Sequence, residues 1–170
     1  CQNGCQIKIP FCKRPFSPKC NCAYLHIRNE KNLTLLPENI VTEMDGLRQL
    51  HVVNCSLAKV PSNMEKLVEM TSVDLSLNNL TTFNVNVKEW KNLVRLLLMD
   101  NRISSYNKEA LLTHQNLVAI ELRDNVGLNI PGNSKIDLPQ LSFLSIANNE
   151  VTVDTIFDAS TFPSLLFLYL

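Results

Sequence analysis

The chain has 170 residues, enough to bury one sizeable core, and its 16 Lys and Arg balance its 16 Asp and Glu to a formal net charge of zero. No block of like charge occurs along it. That excludes the basic stripe a nucleic-acid binder needs to displace counterions, and the polybasic patch of a membrane-surface module. The four glycines fall at none of the spacings of a dinucleotide or P-loop fingerprint.

In chain order the first feature is a cysteine cluster: Cys1, Cys5, Cys12, Cys20 and Cys22, with only Cys55 beyond it. A dense cluster beside a nearly cysteine-free remainder reads as a disulfide-stapled cap, residues 1–22, on a domain otherwise held by its core. Zinc is the competing reading. Cys20-Asn21-Cys22 is tighter than the usual C-x2-C knuckle, however, and no His-x3–5-His follows. From residue 23 to 170 a pattern L-x-x-L-x-L-x-x-N/C-x-L repeats. An irregular copy comes first (Cys22, Leu25, Ile27, then Leu33). Five complete copies start at Leu47, Met70, Leu93, Leu117 and Leu141, and a truncated one has Leu165, Leu168 and Leu170. Start-to-start spacings are 25, 23, 23, 24, 24 and 24 residues. Asn or Cys at the ninth position five times running (Cys55, Asn78, Asn101, Asn125, Asn149) is not a chance pattern. In the fourth copy Leu128 comes one place late.

Each pattern position has a physical reason. L-x-L has the period of a strand, so its apolar residues face one side and the intervening ones the other. Stacked copies then form a parallel sheet on the concave face of a horseshoe, an α/β repeat solenoid with short irregular or helical convex returns. The ninth residue sits where the chain leaves the strand and buried backbone groups lack partners. An Asn amide can donate and accept there, copy after copy, as a ladder. Cys55 fits the same slot as a small buried group, and a bridge to the cap is the rival reading of it. Among the returns, 57–64 is too short for a long helix, 81–90 reads as extended, and 106–114 has the helix formers for two turns. Each repeat buries its apolar face on its neighbours, so free ends need caps. The sequence stops in mid-strand, and the expectation is that the natural protein continues. Leu165–Leu170, the longest apolar run, is too short to span a bilayer, so any membrane attachment is expected outside these residues.

These motifs resemble the leucine-rich-repeat superfamily, in its extracellular form with a cysteine-rich N-terminal cap. The C-x-C of Cys20 and Cys22 carries the cap resemblance and departs from the regular Cys-Pro-x-x-Cys spacing of animal caps. The stretches L-P-E-N-I, V-N-C-S-L-A-K-V-P and E-W-K-N-L look like ectodomains of oomycete cell-surface leucine-rich-repeat proteins. The resemblance implies a surface or secreted protein with no catalytic residues in its repeats and no cofactor. Three sequons agree with that setting: Asn32-Leu33-Thr34, Asn54-Cys55-Ser56 and Asn79-Leu80-Thr81.

Concave positions are the third, fifth and seventh of each copy. The third column is Tyr24, Gln49, Ser72, Arg95, Ala119, Phe143, Phe167. The fifth is His26, His51, Asp74, Leu97, Glu121, Ser145, Tyr169, and the seventh Arg28, Val53, Ser76, Met99, Arg123, Ala147. Leu97 and Met99 are expected to be exposed apolar residues ringed by Arg95, Arg123, Asp74 and Glu121, with Phe143 beside them, which describes a site for a protein or peptide partner. Single exposed hydrophobes are common, so a structural spacer with no ligand is the alternative. His26, His51 and Asp74 lie on adjacent strands about 4.8 Å apart, but ligands in a column stand parallel where a metal needs them convergent, so no metal is expected. No nucleophile, base and orienting acid occur at recognisable spacing, so an enzyme is not expected either. The cysteine reading is checked by mass mapping under non-reducing conditions. Two bridges among Cys1, Cys5, Cys12, Cys20 and Cys22 are expected with Cys55 reduced. A bridge containing Cys55 would overturn its ladder role.

Overall fold

The computed structural model describes residues 23–125, 127–129, 135–150 and 162–170. The predicted cap, residues 1–22 with Cys1, Cys5, Cys12, Cys20 and Cys22, lies outside them. In chain order the elements are β1 (Tyr24–Arg28), α1 (Ile40–Glu43), β2 (Gln49–Val53), a 3-10 turn (Met64–Lys66), β3 (Ser72–Asp74) and β4 (Thr82–Phe83). Then follow a second 3-10 turn (Val87–Glu89), β5 (Arg95–Leu97), β6 (Ser105–Tyr106), α2 (Lys108–Leu112), β7 (Ala119–Glu121), β8 (Phe143–Ser145) and β9 (Phe167–Tyr169).

Seven strands, β1-β2-β3-β5-β7-β8-β9, form one parallel sheet with no crossing of order, the α/β repeat solenoid that the spacing predicts. The register runs His26↔His51↔Asp74↔Leu97↔Glu121↔Ser145↔Tyr169, so like positions of successive repeats stand side by side. The inward residues Leu25, Leu50, Val73, Leu96 and Ile120 are at most 1 % exposed. Leu168, at the same position on the edge strand β9, is 38 % exposed, because it has a stacked neighbour on one side only.

The returns follow the sequence reading only in part: the helix expected over 106–114 is shorter than two turns, and the 81–90 return is not extended throughout. Asn107 caps α2 by accepting the Ala110 N–H at 3.2 Å, and Lys108–Leu112 makes a single short helix. The 81–90 return is extended only over Thr82–Phe83, which pairs with Ser105–Tyr106 in a second small sheet. It then closes into a 3-10 turn that buries Val87 and Trp90. Trp90 Nε1 donates to the Met64 carbonyl at 3.1 Å, and His114, the next residue in that column, bonds through Nε2 to the Trp90 carbonyl at 3.2 Å. His114 Nδ1 accepts the Asn116 N–H, so the ring is held as the neutral Nε2–H tautomer, and burial lowers its pKa.

At the ninth position each amide closes a buried hydrogen-bond set across two repeats. Asn101 Nδ2 donates to the carbonyls of Leu75 (3.0 Å), Leu98 (3.1 Å) and Met99 (3.2 Å), while its Oδ1 accepts the Leu80 N–H at 3.0 Å. Asn78 and Asn125 repeat this set. Asn149 is half-buried and keeps the three donations, but its Oδ1 takes the Asn125 N–H. The late Leu128 accounts for the change. Gly127, in the slot where the other repeats place their apolar residue, has φ +98°, and Leu128 is fully buried one place on. Cys55 holds the first slot buried, with its thiol toward the Val53 carbonyl at 3.5 Å, and forms no disulfide among the described residues.

The eighth position turns the chain out of the strand through left-handed backbone: Asn29, Asn54, Leu77, Asp100, Asp124 and Asn148 have φ between 53° and 62°. Asn and Asp tolerate this region because their short polar side chains bond locally. Asn54 Nδ2 donates to Asn29 Oδ1 at 2.6 Å, and Asn148 Nδ2 to Asp124 Oδ1 at 2.7 Å. Leu77 is the exception, a strained leucine that is 40 % exposed. Two stability measurements follow from the ladder and this turn. Asn101→Ala should destabilise by about 1–3 kcal/mol in denaturant unfolding, since it orphans several buried backbone groups. Leu77→Asn should stabilise by about 1 kcal/mol by relieving left-handed strain. A lower midpoint for Leu77→Asn would mean that the leucine packs more productively than its exposure implies.

Candidate functional site

The outward residues of the seven-stranded sheet form three columns on one face, and each column's exposure depends on its neighbours. Tyr24, His26 and Arg28 are all exposed on β1. Toward the middle the seventh column sinks: Val53 and Ser76 are buried. Leu97 and Met99 are half-buried rather than fully exposed, and Arg123 of the flanking repeat lies against the Met99 sulfur. Asp74, Glu121, Arg123 and Phe143 are half-buried too, and Arg95 is exposed.

Charge at this centre is partly closed on itself. Arg123 Nε meets Glu121 Oε1 at 3.0 Å, its Nη1 lies 3.8 Å from Asp124 Oδ2, and its Nη2 points at the Met99 sulfur at 3.1 Å. The open fork for a carboxylate that its column position suggests is therefore taken up by Glu121, and the pair covers one flank of Met99. Arg95 and Arg28 have no ion-pair partner among the described residues. Asp74 Oδ1 accepts the Ser76 N–H at 3.1 Å.

At the β1 end the rings of His26 and His51 stack, with centroids 4.3 Å apart and planes 6° from parallel, and Tyr24 stands edge-on to His26 at 6.4 Å. His51 Nε2 is 3.0 Å from Ser72 Oγ. Burial, then the neighbouring His26, lowers the His51 pKa below its ordinary value. Among the described residues no group of three or more His, Cys, Asp or Glu is placed to hold a metal ion. At the other end Phe143 lies 6.5 Å from Phe167 and 5.7 Å from Tyr169, an aromatic cluster.

Of the sequon residues, Asn32 and Asn79 are exposed, whereas Asn54 is half-buried and in the left-handed region. Its side chain accepts from Lys31 Nζ and donates to Asn29. Burial raises the pKa of the Cys55 thiol. Three features escape a reading of the columns. The first is the strain at Leu77, whose N–H donates to the Met99 carbonyl at 3.0 Å and so sets an exposed leucine beside the apolar centre. The second is the Trp90–His114 relay in the returns. The third is a convex hollow of about 560 Å³ bounded by Lys88, Lys108, Glu109, Lys135 and Asp137. The only sequence signal for the first was a leucine in a column of Asn and Asp.

The parallel sheet, the inward leucines and the ladder together define a leucine-rich-repeat solenoid. Solved structures of that architecture are similar to it. The plant peptide hormone receptor RGFR1 in complex with RGF2 has a TM-score of 0.63 at 22 % identity, over 76 % of this chain and 21 % of that one. An internalin from Listeria monocytogenes has a TM-score of 0.62 at 19 % identity, over 80 % and 38 %. A plant ice-binding protein has a TM-score of 0.62 at 23 % identity, over 88 % and 56 %. The chain thus spans from about a fifth to just over half of the length of these proteins. No protein-family model and no curated protein matches it.

Proposed function

We propose that this chain is a non-catalytic binding module of a cell-surface or secreted protein, and that it recognises a protein or peptide through the concave sheet, centred on Leu97 and Met99. The fold alone does not decide this, since one similar structure is a hormone receptor in complex and another an ice-binding protein. The observation that carries the reading is positional. Leu97 and Met99 sit on outward columns at mid-sheet, where internal packing of the core requires no apolar residue. The Glu121–Arg123 pair borders them on one side, Arg95 and Asp74 supply charge near them, and Phe143 extends the apolar surface one strand on from β7. A small apolar centre within a charged rim is where few residues carry most of a binding energy. The cysteine cluster, the sequons and the receptor among the similar structures support the extracellular setting.

The test is a selection of displayed peptides and small proteins on the immobilised chain, followed by affinity measurement on variants. Leu97→Glu with Met99→Glu should weaken the selected binders at least tenfold, about 1.4 kcal/mol, with an unchanged melting midpoint. Thr82→Arg, on the exposed second sheet, should leave them unaffected. Binders lost with Thr82→Arg and retained by the double variant would put the surface on the other side, and a failure to select any binder would favour a structural spacer.

A further inference from the structure

The N-terminal end of the concave face is chemically unlike its centre. Register sets His26 beside His51, and the two imidazoles stack 4.3 Å apart instead of splaying. Every strand packed around the pair contributes. From β1 come Tyr24 and Arg28, from β2 Gln49 and Val53, from β3 Ser72 and Asp74, and from β5 Arg95. The charges that act on His51 are those of His26, Asp74, Arg28 and Arg95. Two guanidinium groups without an ion-pair partner among the described residues therefore act on His51, against one carboxylate that already accepts a backbone N–H. Among the described residues His26 has no hydrogen-bond partner, and His51 uses one ring nitrogen on Ser72.

We propose that Tyr24 and the stacked His26 and His51, with the charges of Arg28 and Arg95 acting on His51, form an anion subsite that takes a carboxylate side chain of the protein or peptide ligand and holds it more tightly as the pH falls. The proposal rests on the concave-face reading above and adds the chemistry of one end of the ligand. The physical argument is about unbalanced charge. In the free protein, burial, then the neighbouring His26 and the charges of Arg28 and Arg95, disfavour the protonated form of His51, against the opposing pull of Asp74. A carboxylate laid across the rings supplies the opposite charge that His51 lacks and lessens the effect of the arginines on it. Binding the anion therefore favours the protonated form of His51 and takes up a proton there. By linkage, affinity rises as the pH falls through the bound-state pKa and levels off below the free-state one. Tyr24, edge-on to His26, supplies an apolar wall that shields the contact from water on one side.

The experiment uses N-acetyl-hexaglutamate as the probe, with N-acetyl-hexaglutamine as its neutral counterpart. The ring C–H resonances of the three histidines are followed by NMR during titration at pH 5.5 and 7.5. His26 and His51 should shift saturably with hexaglutamate, at least tenfold more tightly at pH 5.5, while the buried His114 stays still as an internal control. Hexaglutamine should move none of them. Arg28→Ser with Arg95→Ser, both exposed positions, should weaken binding at least tenfold without altering the melting midpoint. The proposal is overturned by equal affinity at the two pH values, by an equal response to hexaglutamine, or by undiminished binding to the double arginine variant. Leu97 and Met99 are untouched in this design. Failure here leaves the apolar-centre reading standing, and failure of the selection above leaves a hexaglutamate response standing.

Discussion

The structure depends on one requirement: the backbone groups left where each strand ends must be satisfied inside the core. A parallel strand of three to five residues is too short to bury its own ends. A lone buried amide or carbonyl costs about 1–3 kcal/mol. The ninth-position Asn meets several of these groups at once. What matters most is that it reaches into the preceding repeat: Asn101 takes the Leu75 carbonyl and the Leu80 N–H, and Asn125 the Leu98 carbonyl and the Ile103 N–H. Each amide thus ties its own turn to the turn before it and fixes the register of neighbouring strands. A slip of one residue would move every outward side chain to the inside. The columns on the concave face exist because the ladder prevents that slip.

The left-handed eighth position is part of the same device. It brings the chain sharply off the strand, so that the ninth side chain points back into the core. Asn and Asp fill it at five of the six described turns, and pairs such as Asn29–Asn54 and Asp124–Asn148 tie the column along the solenoid. Leu77 interrupts the column next to Met99. Local preference and the observed residue disagree there, on the rim of the surface read as a binding face, and strain of this kind persists where the rest of the fold over-determines the backbone.

How much was legible in the sequence follows from what each feature depends on. The sheet, its register and the inward leucines depend on spacing, and spacing is visible: the offsets of Leu25, Leu50, Val73, Leu96, Ile120, Leu144 and Leu168 are those of the repeats. The ladder was legible because only a side chain that donates and accepts suits its slot. The second sheet was not, since it rests on two residues per strand, and a run such as Thr81–Trp90 carries no period long enough to mark where extension ends. The partner of Arg123 was not legible either. Columns say which residues are neighbours, but a long, flexible side chain chooses among Glu121, Asp124 and Met99 by geometry. The likeness of His26 and His51 as neighbours could be read, but not the parallel stacking of their rings.

The two faces of the solenoid differ in how far their residues are accounted for by the fold. On the returns, several charges around the hollow near α2 have partners: Lys88 pairs with Glu109 at 3.3 Å, Asp137 accepts from the Gln115 amide at 3.3 Å, and Lys108 lies over the Tyr106 ring at 5.9 Å. The concave face is less closed. From β1 to β9 it passes from a cationic, imidazole-bearing end through an apolar centre to an aromatic cluster at Phe143, Phe167 and Tyr169. The character of the face thus changes along the axis of the solenoid. Because all seven strands are parallel and in register, that axis has a direction as well as a length. On the binding reading proposed above, a ligand spanning it would meet the imidazole pair at one end, then the apolar centre with its charged rim, then the aromatic cluster. On that reading, charge would select which way round the ligand lies and speed encounter, while the apolar centre would supply the greater part of the affinity.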